Sequence, residues 1–475
     1  MTRLHKIAAL LVLAAISFAF TQVNKKKSEQ VTIEDPRKIY TEKCASCHGE
    51  SVEAYVDRVW KHGKTKEALV ASITNGYTDY GMPGWKDVIA EKDINAMADM
   101  ILTSLKTVEQ YDFTKDKKKV EGPARFESKG INVTLDTIAT GLNSPWGFEQ
   151  LPNGNYLITD REGSLYLVDQ QRNKTKIGNT PDVLSEGQGG LLDITLHPNY
   201  DQNGLVYMSY SKYKLENGEK MTTTAVVRGK IVDNNFVDIQ EVFEAKPYTK
   251  TKHHYGSRLV FDKKGYLFIS VGERGQEKLF PQDLTTSPGK IHRINDDGSI
   301  PKDNPFVNKG NNVASIYAYG NRNPQGMTMD PVTGLIWETE HGPRGGDELN
   351  IIKSGANYGW PVISYGINYD GKPITSISKK VGMEQPQTYW IPSIAPSGLT
   401  FVTGDKYPAW NGSILAGSLR FNYIDRSIMQ GNKVIGHEKL MMNIGRTRNV
   451  EMGRDGYLYV GIEGPGTVFR VRAIK

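Results

Sequence analysis

The two cysteines of this 475-residue chain stand three positions apart, in the sequence Cys44-Ala45-Ser46-Cys47-His48. This spacing is typical of c-type haem attachment, in which both thiols form thioethers with the haem and the adjacent histidine ligates the iron. A redox-active dithiol or half of a zinc site is the alternative. The zinc alternative lacks a second ligand pair with zinc spacing. The sequence therefore predicts haem c bound by Cys44 and Cys47, with His48 as proximal iron ligand.

A methionine in the loop GMPGW, at 81–85, is the candidate for the sixth iron ligand. Met82 lies outside any periodic apolar stripe, so core packing does not account for it. Met97 and Met100 are the alternatives, but Met97 falls on the apolar face of a predicted helix and is better explained by packing. Histidine–methionine ligation raises the haem potential and suits the acceptance of electrons.

A histidine and a carboxylate, His254 and Glu273, lie in one repeat of the C-terminal region and form a candidate acid–base pair. The carboxylate can fix the histidine tautomer and stabilise its protonated form, as general base catalysis requires. A structural histidine with a satisfied hydrogen bond is the alternative. Arginines recur in the same region. Because a guanidinium group stays charged and contacts carboxylates through two hydrogen bonds, they predict an anionic ligand.

These residues must be positioned by a repeated unit, which consists of an apolar strand, a polar turn with a glycine, and a second strand. Six copies begin at about residue 131, and their glycines are Gly154, Gly204, Gly265, Gly334, Gly412 and Gly456. The spacing of roughly 44 to 78 residues suits propeller blades with loop insertions. We predict an all-β six-bladed β-propeller over 131–475, with an open solenoid or a barrel as the alternative.

The repeat also predicts where the candidate residues meet. In a blade, the innermost strand starts at one end of the central channel and the next strand returns to that end. Residues before each first strand and after each second strand should therefore converge on one mouth of the channel. They are Gln188, His253, His254, Arg322, Asn323, Arg446 and Arg448 before the first strands, and Asp160, Arg161, Glu273, Arg274, His341, Gly342, Pro343, Arg420 and Glu463 after the second strands.

The N-terminal part of the chain has helical rather than strand periodicity. A helix start is predicted at 35–36 (Asp-Pro), a helix end at 75–76 (Asn-Gly), and a further helix over about 92–105. This plan resembles a small class I cytochrome c, so residues 31–106 are predicted to form an all-α cytochrome domain. Residues 107–130, rich in Lys, Asp and Glu, are predicted to be a linker.

Residues 1–20 combine a charged start with a short apolar run, which predicts a secretory signal peptide and a periplasmic or secreted protein. An uncleaved membrane anchor is the alternative, and it is the only predicted contact with a membrane. The net charge of +6 owes much to short lysine runs, which we interpret as solvated linkers. A basic face interleaved with stacking aromatics is missing, so nucleic acid is not an expected partner.

The propeller region carries six motifs that are specific in combination. They are GQGGLL at 187–192, His254 followed by Arg258-Leu259, DGSIPKDNP at 297–305, RNPQG at 322–326, Gly342-Pro343, and NYGWP at 357–361. On these motifs, residues 132–473 resemble the soluble glucose dehydrogenases and aldose sugar dehydrogenases that use pyrroloquinoline quinone. The resemblance implies oxidation of an aldose at its anomeric hydroxyl to a lactone. Because the reduced quinone would hold two electrons and a haem takes one at a time, the attached cytochrome domain is the expected first electron acceptor.

By this resemblance, His254 is the general base and Glu273 orients it. The resemblance also implies that calcium is ligated by the backbone carbonyls of Gly342 and Pro343, with a second site near Glu348 and Tyr358. The quinone would be held by polar residues of the mouth, namely Gln188, His253, Arg322, Asn323, His341, Arg420, Arg446 and Arg448.

Four of these positions depart from the glucose dehydrogenase pattern. The family is expected to have an acidic residue at His253, a glutamine at His341, a lysine at Arg420 and a shorter acid at Glu273. All four residues are polar, so the cofactor prediction stands, whereas the substrate preference is left open. A small sugar and a downstream electron acceptor, either a cytochrome or a respiratory-chain component, are the expected partners.

Two other functions remain open from the residues alone. A propeller hydrolase such as a lactonase would need a metal cluster of carboxylates at the mouth, where arginine outnumbers acid. A non-catalytic binding propeller attached to an electron-carrier cytochrome would leave the pair of His254 and Glu273 without a role.

Overall fold

The computed structural model describes residues 35–48, 52, 60, 62–110, 125–368 and 373–474. The predicted signal peptide, at 1–20, and the central part of the predicted linker, at 111–124, lie outside the described residues. In the part of the chain that is described, no helix is both long enough and apolar enough to cross a membrane.

The N-terminal domain is helical, and its helix ends follow from the sequence. Its helices are α1 (Pro36–Lys43), α2 (Ala45–His48), α3 (Lys66–Asn75) and α4 (Glu91–Gln110). The Asp35 side chain caps α1 by accepting a hydrogen bond from Arg37 N at 2.9 Å, and Gly76 ends α3, as predicted. Helix α4 runs five residues beyond the predicted end at Leu105, because glycine and proline are missing from its sequence.

One hydrophobic core joins these helices. Its buried residues include Ile39 and Tyr40 of α1, Leu69 and Ile73 of α3, and Ile94, Met97, Ala98 and Ile101 of α4. Met97 is fully buried in this core, which confirms the interpretation of its side chain as a packing residue.

Residues 125–474 form six antiparallel sheets, which are the blades of the predicted β-propeller. The chain enters with β1 (Arg125–Phe126) and β2 (Asn132–Ala139). The first three blades follow, each built from the innermost strand outward. Their strands are β3 (Pro145–Gln150), β4 (Tyr156–Asp160), β5 (Ser164–Val168) and β6 (Lys174–Ile177); then β7 (Leu191–Leu196), β8 (Val206–Glu216), β9 (Glu219–Val232) and β10 (Asn235–Glu244); then β11 (Leu259–Phe261), β12 (Leu267–Val271), β13 (Lys290–Ile294) and β14 (Ile316–Tyr319).

In the second blade, a one-turn helix α5 (Tyr200–Asn203) lies in the turn between β7 and β8. The last three blades are built in the same order as the first three. Their strands are β15 (Pro324–Met329), β16 (Ile336–Glu340), β17 (Asp347–Ile352) and β18 (Thr388–Trp390); then β19 (Pro396–Phe401), β20 (Ile414–Ser418), β21 (Ile424–Gln430) and β22 (Lys433–Leu440); then β23 (Arg446–Met452), β24 (Leu458–Glu463) and β25 (Thr467–Ile474). The six glycines of the repeat all have φ between 66° and 84°, a left-handed conformation that glycine adopts without strain.

The ring is closed by strands from both ends of the propeller sequence. Strand β2 pairs antiparallel with β25, with Thr134 opposite Arg472, and β1 adds to the outer edge of the same sheet. The last blade therefore has five strands. Residues 125–126 were predicted to be linker, but their main chain is paired with β2, and α4 occupies 107–110 at the other end of the predicted linker.

The apolar cores lie between neighbouring blades, one at each of the six blade–blade contacts. Strands β12, β16 and β20 are consequently buried at every position. Exposed and less exposed residues alternate along an outer strand such as β22, whereas inner strands are covered on both faces.

The innermost strands surround the propeller axis and are irregular at their mouth ends. Five of the six, namely β3, β7, β15, β19 and β23, contain a register shift close to their first residues. A β-bulge bends a strand and redirects the side chain at the extra residue. The bulge between Thr447 and Asn449, for example, falls on Arg448 at the mouth of the channel.

Candidate active site

The pair of His254 and Glu273 forms a direct contact. Nδ1 of His254 lies 2.8 and 2.9 Å from the two carboxylate oxygens of Glu273. Because a carboxylate only accepts, Nδ1 must carry the proton, and Nε2 keeps the lone pair that a general base needs. Glu273 is 1% exposed, whereas 12% of the His254 side chain remains accessible.

The backbone around His254 is held in an unusual conformation. Its φ is +55°, in the left-handed region, which costs free energy in a residue other than glycine. Two groups hold this turn in place. The Gln188 side chain accepts a hydrogen bond from His254 N at 2.8 Å, and the Arg274 guanidinium donates to the carbonyl of His253 at 2.5 Å. Arg274 also lies 3.5 Å over the ring of Tyr255.

The electrostatic surroundings favour a neutral imidazole. Burial, followed by the charges of Arg322 and Arg274, holds the pKa of His254 well below its usual range. The side chain is therefore unprotonated at neutral pH and ready to accept a proton. Burial also raises the pKa of Glu273, although the nearby Arg322 opposes this effect.

Arginines from the last blade reach the same end of the channel, but they are paired. Glu463 binds Arg446 Nε and Arg448 Nε, both at 2.7 Å, and these two charges keep the pKa of Glu463 well below its usual range despite burial. Two guanidinium groups and one carboxylate leave this trio with a net positive charge. The repeat predicts Glu463 at the mouth, whereas its pairing with two arginines is not apparent from the sequence.

Arg322 connects the dyad to the following blade. Its carbonyl accepts a hydrogen bond from Glu273 N at 2.8 Å, and its guanidinium donates to the carbonyls of His341 at 3.0 Å and Gly342 at 3.2 Å. The Asn323 side chain accepts from Gly256 N at 3.1 Å in the loop after His254. The structure thus joins Gln188, Arg322 and Asn323 to the dyad.

Three other residues predicted to contact the quinone form hydrogen bonds with backbone carbonyls. His341 Nε2 lies 2.6 Å from the carbonyl of Pro396, and Arg420 donates to the carbonyl of Ser393 at 3.2 Å. His253 Nδ1 lies 3.2 Å from the carbonyl of Asp79, which belongs to the cytochrome domain. These contacts fix loops and a domain contact, and the sequence alone indicated none of them.

The residues predicted to bind calcium form two separate groups. Gly342 N donates to Asp347 at 2.8 Å, which orients the loop carrying Gly342 and Pro343. The described residues contain no cluster of three or more His, Cys, Asp or Glu side chains that could hold a metal ion. The resemblance implies that backbone carbonyls of this loop supply the oxygen ligands that a hard cation prefers.

The two residues predicted for the second calcium site each form hydrogen bonds of their own. The Tyr358 hydroxyl donates to the carbonyl of Ile351 at 2.6 Å and accepts from Lys353 N at 2.9 Å. The Glu348 carboxylate instead accepts from Asn350 at 3.2 Å. Burial, followed by the charge of Glu340, raises the pKa of Glu348 above its usual range.

The haem-attachment residues lie on one short helical segment. Cys44 caps the end of α1, and α2 carries Cys47 and His48, with His48 N bonded to the carbonyl of Cys44 at 2.9 Å. Residues three and four apart share one face of a helix, so both thiols and the imidazole fit a single planar group. The donor set suits haem c.

Met82 occupies the base of a tight loop. Its N–H and carbonyl pair with the carbonyl and N–H of Tyr77, at 3.1 and 2.7 Å, around the short helical turn Thr78–Tyr80. Gly76 and Gly84 lie in backbone contact beside it, where a Cβ atom would clash. This fixed loop is a suitable carrier for an iron ligand.

Replacing Met82 with alanine should remove the weak near-infrared sulfur–iron band of the oxidised haem and lower its reduction potential, because a thioether ligand raises the potential. The fully buried Met97 offers the matched control, since Met97→Leu should change the stability of the domain and leave the band in place. An unchanged band and potential in Met82→Ala would assign the ligand to Met100 or Met97 instead.

Two residues that connect loops and blades near the mouth, Asp347 and Arg258, were not predicted as site residues. Asp347 accepts hydrogen bonds from Gly342 N and from the N–H groups of Ile394 and Ala395, at 2.7 to 2.9 Å, and so connects two loops. Arg258, which precedes the first strand of the third blade, contacts three other blades. The motif containing Arg258 was noted, but its partners are distant in sequence.

Comparison with known proteins agrees with this architecture. The model of the glucose/sorbosone dehydrogenase family matches residues 142–470, and that of cbb3-type cytochrome c oxidase subunit III matches residues 31–101. An aldose sugar dehydrogenase of Escherichia coli is 41% identical over 335 residues, covering 69% of this chain and 89% of that protein.

Solved structures give the same assignment. The apo-form of the soluble aldose sugar dehydrogenase from Escherichia coli matches with a TM-score of 0.69 and 39% identity, covering 72% of this chain and 100% of that one. The aldose sugar dehydrogenase of Streptomyces coelicolor bound to pyrroloquinoline quinone matches with a TM-score of 0.60 and 28% identity, covering 74% and 100%. The chain therefore belongs to the glucose/sorbosone dehydrogenase family and carries a cytochrome c domain before its propeller.

Proposed function

We propose that this protein oxidises an aldose at its anomeric hydroxyl, with pyrroloquinoline quinone as cofactor and the attached haem c as first electron acceptor. The observation that carries the proposal is the contact of His254 with Glu273, which leaves a neutral imidazole nitrogen at a cationic channel mouth. The relative from Streptomyces coelicolor, which was solved with this quinone bound, supports the choice of cofactor.

His254 and Glu273 have different roles in removing the substrate proton. His254 Nε2 takes the proton of the anomeric hydroxyl as hydride leaves the adjacent carbon, and the product is a lactone. Glu273 holds the Nδ1 proton and stabilises the imidazolium that forms. The fixed turn around His254 keeps this geometry before the sugar arrives, so little reorganisation is needed during the reaction.

The surplus positive charge of the mouth supplies the binding site for an anionic cofactor. Arg322, Arg446 and Arg448 would contact its carboxylates, and Gln188 and Asn323 would line the same site. When bound, the quinone would supply a hydride acceptor. The backbone carbonyls of Gly342 and Pro343 would hold a calcium ion, which would act there as a Lewis acid.

The proposal is tested with the full-length haem protein freed of quinone. Adding pyrroloquinoline quinone and calcium should produce sugar-dependent dye reduction, and a panel of aldoses then identifies the substrate. Haem reduction by sugar should be first order and independent of protein concentration, because a covalent tether gives the two domains a local concentration of roughly millimolar. Lactone hydrolysis without dye reduction would indicate the hydrolase alternative, and sugar binding without turnover would indicate a binding propeller.

Removal of one paired arginine should weaken cofactor loading. We expect Arg448→Ala to raise the dissociation constant of the quinone by about 10- to 100-fold, since charge-assisted hydrogen bonds contribute roughly 1.5–3 kcal/mol. Titration calorimetry on quinone-free protein measures this effect. Arg472, which is 44% exposed on the outer part of the last blade, provides the control, and Arg472→Ala should bind normally. Equal affinities for Arg448→Ala and the control would place the anionic ligand elsewhere.

We also propose that residues 1–20 direct export, so the mature enzyme works in the periplasm or outside the cell. Mass spectrometry of the native N terminus tests this, because a cleaved signal shortens the chain, whereas an uncleaved segment would act as a membrane anchor.

A further inference from the structure

The loop that precedes Met82 contacts the propeller next to the candidate base. The carbonyl of Asp79 accepts hydrogen bonds from Lys252 N at 2.5 Å and from His253 Nδ1 at 3.2 Å. The Tyr80 hydroxyl adds a third contact by donating to Glu186 at 3.4 Å. The carbonyl oxygen of Asp79 thus accepts hydrogen bonds from two donors of the propeller, and these two bonds together define the orientation of the loop on the propeller.

The shape of the loop permits this approach. Gly81 has a φ of +80° and lies against the imidazole of His253, where an added Cβ atom would come within 3.3 Å of the ring. The backbone pairing of Tyr77 with Met82 closes the loop behind the contact. The candidate iron ligand therefore lies three residues from Asp79, on a segment with little freedom to move independently.

The propeller side of the contact belongs to the active-site turn. Lys252 and His253 immediately precede His254, and the rings of the two histidines are 4.6 Å apart and nearly perpendicular. The carbonyl of Lys252 also accepts a hydrogen bond from Gln188 N at 2.8 Å. The side chain of His253 thus contacts both the cytochrome loop and the imidazole of His254.

The chemistry of position 253 suits this contact. Burial, followed by the neighbouring His254, lowers the pKa of His253 to about 3, so the imidazole is neutral and donates one N–H to the carbonyl of Asp79. The family resemblance leads one to expect an acid at this position. A carboxylate here would set two acceptors against each other and repel the carbonyl.

We propose that loop 77–82 of the cytochrome domain docks on a surface formed by Glu186, Lys252 and His253, and that this docked state is the one in which the haem is reduced. The inference rests on the proposed function for its electron donor. Oxidation of one sugar releases two electrons, whereas ferric haem accepts one. Each turnover therefore requires two haem reductions, with reoxidation by an external one-electron acceptor between them.

The test replaces the contact residue that lies outside the catalytic machinery. In Tyr80→Glu, a carboxylate faces Glu186 where the wild type has a hydrogen bond. Val88, which is 41% exposed in the same domain, gives a control of equal charge in Val88→Glu. We expect sugar-driven haem reduction in the full-length, quinone-loaded protein to slow about five- to twentyfold in Tyr80→Glu, as expected for exchanging a hydrogen bond for like charges, and to be unchanged in Val88→Glu.

Two further measurements separate docking from other causes. Sugar:dye activity, the near-infrared haem band and the haem potential should be unchanged in both variants, since neither touches the dyad or the iron ligands. Hydrogen exchange on full-length haem protein without quinone should show faster exchange of the Lys252 amide in Tyr80→Glu than in wild type or Val88→Glu.

The outcomes decide between the two proposals. If Tyr80→Glu leaves both the haem reduction rate and the exchange at Lys252 unchanged, the docking surface is wrong. If exchange increases but haem reduction keeps its rate, the surface exists and does not serve electron transfer, which overturns the inference as well. Wild-type protein that exchanges as expected but lacks sugar:dye activity would instead refute the proposed function.

Discussion

Replacing His254 with alanine should lower kcat for the sugar by about 10²–10⁴-fold, the usual contribution of a general base. Quinone affinity should change little, because the carboxylate-binding arginines remain in place. The measurement is steady-state sugar:dye activity alongside calorimetric loading of the same preparations. Near wild-type turnover in His254→Ala would contradict the mechanism.

The outer blade surface offers a matched control. His437 Nδ1 lies 2.8 Å from Asp425, so this pair repeats the contact of His254 with Glu273 away from the mouth, on strand β22. We expect His437→Ala to retain full turnover. A loss in both variants would indicate that histidine–carboxylate pairs act on stability and not on proton removal.

The same base sets the pH dependence of the reaction. Protonated His254 cannot accept the substrate proton, so kcat/KM falls as the pH drops through the pKa of His254. Because burial and two arginines lower that pKa, the acid limb should lie below the usual histidine value of about 6.5. An acid limb at or above that value would mean that Glu273 outweighs the arginines in setting the pKa.

Replacing Arg258 with methionine should lower the free energy of unfolding of the propeller by about 3–5 kcal/mol, the usual effect of breaking a buried ion pair. Arg258 binds Asp193 at 3.0 Å, with side chains 4% and 8% exposed, and it also donates to the carbonyls of Gln325 and Arg448. Methionine keeps much of the volume but leaves the Asp193 carboxylate buried without its cation.

Urea unfolding of the quinone-free protein measures this loss. The exposed pair of Arg454 and Asp201, with side chains 45% and 61% exposed at 3.0 Å, provides the control. Arg454→Met should change the stability by less than about 1 kcal/mol. Equal effects of the two substitutions would show that Arg258 is not a structural link between blades.

The sequence by itself determined the features that depend on residues close together in the chain. The spacing of Cys44, Cys47 and His48 places two thiols and one imidazole on one helical segment, and the repeat glycines give the turns of six blades. The predicted mouth follows from the same regularity, because antiparallel neighbours return each second strand to one end. The structure brings Gln188, His254 and Glu273 together there, although they come from different blades or different strands.

Only the tertiary structure decided which charges meet and which faces are buried. Glu463 neutralises part of the positive charge of Arg446 and Arg448. Arg258 donates a hydrogen bond to the carbonyl of Arg448, which is 190 positions away in the sequence. Such pairings depend on how blades pack, and composition or periodicity carries no information about them. The burial of the inner strands on both faces likewise depends on the packing of neighbouring blades. The contact of His253 with Asp79 joins two separate domains, so its geometry depends on how the domains dock and not on the motif around either residue.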